Sequence, residues 1–153
     1  MPLKRNEAKY MKSKTQTICT AALLLGAVTV MAINFSAGWN GGPPQAVNIA
    51  ATVFYLIFWV LMLRFKPAAK TSALLSLYTM IGCIIGFCSV AGNWGGGIIT
   101  VLIVPVIFPP ASLFYGLRIV GGYQMFYILS AVISFVIMIF SLITLVNKPS
   151  KTE

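Results

Sequence analysis

Few side chains in this 153-residue sequence could carry chemistry, and the missing ones decide the most. There is no histidine, and the only acids are Glu7 and Glu153. Carboxylate acid–base catalysis, a histidine-based triad and metal-assisted hydrolysis therefore lack their residues. A proton-coupled pump or transporter usually needs an ionisable group in the membrane, and the apolar runs hold none. Cys19, Cys83 and Cys88 remain. Their number is odd and no CxxC occurs. Cys83 and Cys88 stand five apart, so on a helix they point in different directions. They read as small apolar packing residues rather than a disulfide or metal site. Nucleophilic chemistry by Cys or Ser lacks an internal base. Seven scattered methionines without histidine make no copper site. Gly95-Gly96-Gly97 lacks the lysine and the preceding strand of a phosphate-binding loop. The expectation is a chain that is not an enzyme and has no cofactor or metal.

The placement of charge identifies the environment. Hydrophobic residues make up 59% and charged residues 8%, with a mean hydropathy of +0.92. A soluble domain has roughly 25% charged residues. No Lys, Arg, Asp or Glu occurs in residues 15–63, 71–117 or 119–147. Uncharged apolar runs of about 18 residues or more read as transmembrane helices. Five of the eleven cations, Lys4, Arg5, Lys9, Lys12 and Lys14, directly precede the first run. The net charge of +9 therefore points to a cytoplasmic anchor on anionic lipid, not to nucleic acid. The first run extends to about Phe35, longer than a signal peptide's apolar region. No small-x-small cleavage site lies near Ser36-Ala37, so it reads as a retained helix. No lipidation motif is present.

These features predict an all-α integral membrane protein: a compact bundle of four transmembrane helices plus a fifth, Pro-broken apolar segment. Residues 1–153 form a single polytopic domain. A basic cytoplasmic tail covers 1–16, spans cover about 17–35, 47–63, 72–91 and 123–146, and the broken segment covers 98–117. Gly/Trp-rich connections at Trp39–Pro44 and Gly92–Gly97 alternate with a basic one at Arg64–Lys70, where Pro67 is expected to stop the second helix. The positive-inside rule places the N-terminus in the cytoplasm and the Gly/Trp connections outside. If 98–117 spans, nine of the eleven cations lie inside; if it re-enters and returns, ten do. Charge therefore favours, by one residue, a re-entrant segment and a cytoplasmic C-terminus. Pro105, Pro109 and Pro110 make 98–117 unusual. A helix to Phe108, a break at Pro109-Pro110 and a new helix near Ala111 are expected, sheltered by the other helices.

Small residues mark the packing faces. Gly82 and Gly86 form a GxxxG pattern, extended by Thr79 and Ser89 at helical spacing. Ala22 and Gly26 continue into Thr29 and Ala32 on the first helix, and Ser130, Ser134 and Ser141 mark the last. Packing within the bundle is the simpler reading; a homo-oligomer or a membrane-protein partner is the alternative. Trp39, Trp94 and Tyr123 fit an interfacial aromatic belt. Arg118 reads as a snorkelling boundary anchor, or as a site for an anionic lipid or a partner carboxylate.

The expected role is a small non-catalytic polytopic membrane protein acting through helix packing: an accessory, scaffold or immunity/stress-type protein. The alternative is a small channel or facilitator. Its pathway would run at the Pro-broken segment, lined by Asn34, Thr79, Ser112 and Ser134. The short basic tail and tight loops suit a multi-pass protein of a bacterial inner (cell) membrane.

Overall fold

The computed structural model describes residues 2–63, 66–92 and 108–147, without the side chains of 2–13, 39, 66 and 67. The described residues form helices and turns, with no strand among them. Helix α1 covers Pro2–Trp39, α2 Ala46–Met62, α3 Lys66–Ala91 and α4 Tyr123–Val146. A helical turn over 108–112 and a 3-10 helix, Tyr115–Val120, precede α4.

Lys14–Gly38, Ala68–Ala91 and Tyr123–Val146 are long and apolar enough to cross a membrane, with mean hydropathies of 2.1, 2.0 and 2.7. Helix α2 is apolar but has 17 residues, about 26 Å of helix. Large apolar side chains face outward, including Leu25, Phe54 and Val132. In water such a surface would be a liability; in lipid it is the solvent-facing side. The architecture fits an all-α membrane protein.

The boundaries differ from the expected ones where helicity and hydropathy part. Helix α1 begins in the basic tail, because Lys, Arg, Ala, Met, Gln and Glu are good helix formers and nothing there breaks the pattern. It ends at Trp39, and the chain turns at Gly41, whose φ of +68° is open to glycine but strained for most residues. Pro67 opens α3 instead of ending α2. In the first helical turn its missing N–H costs nothing and its fixed φ suits the helix. The last helix has its expected bounds, preceded by Gly121-Gly122.

Helices α1 and α2 form an antiparallel hairpin. Tyr55 donates to Leu23 O, and Asn48 to Ile33 O further along. The Gly26 expected to let helices approach does so here: its α-carbon faces the rings of Tyr55 and Phe58. Ala22, one turn earlier, is half-buried. Helices α3 and α4 run antiparallel along their length, with Gly86 against Tyr127 at one end and Ser72 bonded to Ser141 (2.8 Å) at the other. Gly82, Ser130 and Ser134 are buried, and Cys83 lies beside Ser130. The two hairpins meet where Thr20 bonds Thr71 at 3.2 Å and Trp59 Nε1 donates to Ser72 Oγ at 2.6 Å.

A methyl group at Gly86 would clash with the Tyr127 ring, 2.9 Å from Cδ1 and closer still to Cε1. Gly86→Ala should therefore destabilise the protein by about 1–3 kcal/mol, the usual range for overpacking. Thermal unfolding in detergent would measure this, and adding Tyr127→Leu should recover part of the loss. Equal stability of Gly86→Ala and the wild type would rule out this close approach.

Candidate functional site

The segment after the third helix is held by a polar network at the top of the α1–α2 hairpin. Asn34 on α1 and Asn48 and Thr52 on α2 are all buried. Asn48 and Thr52 are four apart, so they share one face of α2. Asn34 Nδ2 donates to Ser112 O (2.8 Å) and to Thr52 Oγ1 (3.2 Å). Asn34 Oδ1 accepts from Asn48 Nδ2 at 3.1 Å, and Asn48 Nδ2 also donates to Ile33 O at 3.3 Å. Asn48 Oδ1 accepts from the Gln45 amide at 2.9 Å, tying the start of α2 to its own first turn. Thr52 Oγ1 donates to Leu113 O at 3.2 Å and accepts from the Gly116 amide at 3.1 Å. Both amides thus use both donor hydrogens and their oxygen, and the hydroxyl donates once and accepts twice.

What this network grips is irregular backbone. Leu113, Phe114 and Leu117 amides bond three residues back, to Pro110, Ala111 and Phe114 carbonyls, a tighter pattern than an α-helix. Ser112 Oγ donates to Pro109 O at 2.6 Å. Pro109 and Pro110 therefore sit inside the helical turn 108–112, and the break falls three residues later, at Leu113–Phe114. The expected break at Pro109-Pro110 and new helix near Ala111 are corrected on that point. Proline's φ is helical, and its missing donor disturbs only the bond four residues back. Pro109 is half-buried and Pro110 buried; Pro105 lies outside the described residues.

The described part of the segment begins and ends beside the α1–α2 connection. Phe108 packs on Gly38 and lies edge-on to Phe35, 5.7 Å between ring centres. Phe114 reaches further in and stacks on Trp59 at 6.3 Å. Gly116 then passes against α2, where a side chain would come within 2.7 Å of Asn48 O and Ile49 Cα. Arg118 returns to the α1–α2 connection. Its Nη1 donates to Gly41 O at 3.0 Å, to Gly42 O, and to Tyr115 OH at 2.5 Å. Its guanidinium stacks over Tyr123, 3.7 Å from the ring centre. Tyr115 OH donates to Ala37 O and Gly42 O. The expected snorkelling anchor is thus also a pin between the 3-10 helix, α4 and the α1–α2 connection.

The candidate pathway residues divide. Asn34 and Ser112 join the network, while Thr79 Oγ1 donates to Leu75 O on its own helix at 2.8 Å. Ser134 and Ser130 hydroxyls are buried between α3 and α4 with no full hydrogen-bond partner; the Cys83 thiol beside Ser130 is only a weak one. No cluster of metal-ligating side chains occurs among the described residues. A groove of about 620 Å³ between α1 and α2, walled by Gly26, Val30, Ala51, Phe54 and Phe58, is almost wholly apolar. Asn48, Thr52, Tyr115 and Gly116 were not singled out from sequence. The available signal was polarity: an Asn or Thr inside an apolar run needs a partner in hydrocarbon.

Replacing Thr52 by Val keeps the shape and orphans Leu113 O and the Gly116 amide. A loss of about 1–3 kcal/mol is expected, with faster hydrogen exchange of amides 113–117. Thr52→Ser, which retains the hydroxyl, should stay near wild type. Exchange unchanged in Thr52→Val would remove the network from its holding role.

Family models, curated proteins and solved structures gave no match to this chain.

Proposed function

We propose that this chain is a non-catalytic polytopic membrane protein that works by helix packing, as an accessory or scaffold. In this reading α1, α2, α3 and α4 cross the bilayer, and the 98–117 segment is re-entrant. The observation that carries it is that the described part of the segment meets one connection twice, Phe108 on Gly38 and Arg118 on Gly41 and Gly42; residues 98–107 lie outside the described residues. The start of α4 then lies at the end of the bundle where α3 finishes, in keeping with their antiparallel packing. The 17 residues of α2 form the shortest span, a few ångströms under a typical hydrocarbon thickness of about 30 Å. The basic tail sits in the cytoplasm against anionic lipid of the cell membrane.

The saturated Asn34–Asn48–Thr52 network supports a structural role over a pathway, because it leaves a passing solute no vacant polar group. The facilitator reading draws on one observation, the buried hydroxyls of Ser130, which has only the weak Cys83 thiol beside it, and Ser134, which has no partner among the described residues.

A reporter fused after Lys151 should locate the C-terminus in the cytoplasm, with the N-terminal tail. An external C-terminus would require five spans. Proteoliposomes containing the purified chain should show no flux of ions or small neutral solutes above protein-free vesicles. Reproducible flux abolished by Ser134→Leu would transfer the proposal to the facilitator.

A further inference from the structure

The structure points to a binding site for the phosphodiester of an anionic phospholipid at Arg118, on the membrane face carrying the α1–α2 connection. The inference rests on the membrane-spanning reading and adds a ligand to it.

Arg118 is half-buried, and no carboxylate of this sequence can reach it. The acids are Glu7 and Glu153. Glu7 belongs to the same continuous helix as Gly38, about 46 Å of rise away. Glu153 follows α4, whose 24 residues carry the chain about 36 Å from Tyr123. Fully extended, residues 147–153 could return at most about 24 Å. The carbonyls of Gly41 and Gly42 and the Tyr123 ring orient the guanidinium and soften its desolvation, but they leave its full charge uncompensated. A partly buried cation without an anion is unfavourable, and the described residues supply none, so an anion from outside them would stabilise this one.

The geometry selects the kind of anion. Among the described residues, all hydrogen bonds of Arg118 fall on Nη1. The Nε and Nη2 donors remain, and that edge of a guanidinium matches two oxygens of a phosphate. Ile119 and Val120 follow on the same 3-10 helix, each 64% exposed. A cation held at a bundle end beside two exposed apolar side chains matches a lipid, with phosphate and acyl chain adjoining, better than a free anion. The Tyr123 ring under the guanidinium limits its motion, so the site is preorganised rather than a loose surface charge.

The test is native mass spectrometry of the full chain in detergent. The tail changes Lys4→Gln, Arg5→Gln, Lys9→Gln, Lys12→Gln and Lys14→Gln remove the larger competing basic cluster, and the Arg64–Lys70 cluster is common to every variant compared. In that background one phosphatidylglycerol should be retained over phosphatidylcholine by roughly tenfold, the scale of one charge-assisted contact. Arg118→Lys, which keeps the charge and loses the fork, should reduce the preference several-fold. Arg118→Gln should abolish it. If Arg118→Gln does not fold, the lysine variant and competition by inorganic phosphate decide. No preference for phosphatidylglycerol, or a preference unchanged in Arg118→Lys, overturns the site. Displacement of the lipid by millimolar inorganic phosphate would show a free-anion site and overturn the lipid assignment. The side of the C-terminus is read independently, so failure here leaves the four-span proposal standing.

Discussion

Hydrocarbon offers a bare carbonyl or amide nothing to bond, so any stretch of membrane-depth backbone that is not α-helical must be satisfied by protein. The irregular backbone after the helical turn 108–112 is met in this way by two side chains: Asn34 takes the Ser112 carbonyl, Thr52 takes the Leu113 carbonyl and the Gly116 amide, and Asn48 holds Asn34. Much of the surrounding structure follows from that requirement. The two Asn residues must face each other across α1 and α2, which sets the register of the hairpin. Gly116 must lack a side chain because its backbone lies against α2. Phe114 can then reach Trp59, which in turn donates to Ser72 on α3. The irregular segment is thereby the piece that touches both hairpins.

The two hairpins are built on different principles. Helices α3 and α4 approach through small residues, with Gly86 beneath Tyr127 and Ser72 against Ser141. Between helices α1 and α2 the contact is looser and polar at one end, leaving an apolar groove on its outer side. In lipid there is no hydrophobic drive to close such a groove, because acyl chains are as apolar as its walls. Hydrogen bonds and close packing must do what burial does in water. Here they are concentrated at two levels: the Asn34–Asn48–Thr52 network near the connection, and the Trp59–Ser72–Ser141 cluster toward the opposite end.

Much of this was legible in the sequence, for reasons tied to particular residues. Charge-free runs disclose helices that face lipid, and Gly121-Gly122 with Asn147 bracket the last helix. Hydropathy reports burial in lipid rather than helicity, so it missed that α1 continues through the basic tail and that α3 begins at Lys66. Prolines suggest a point of breakage because they lack a donor. The structure keeps Pro109 and Pro110 within a helical turn and bends the chain at Leu113–Phe114, where Thr52 and Trp59 provide partners.

Composition and charge order thus pointed to an all-α membrane protein and to most of its helices, because these depend on local periodicity and on the length of charge-free runs. Only the tertiary structure decided how residues 108–118 are held. Asn34 and Ser112 are 78 residues apart, Thr52 and Leu113 61, and Arg118 and Gly41 77. Sequence spacing carries no information about such pairs. They arise when the folded hairpin leaves donors and acceptors facing inward, and the irregular backbone takes a path on which its own polar groups are met.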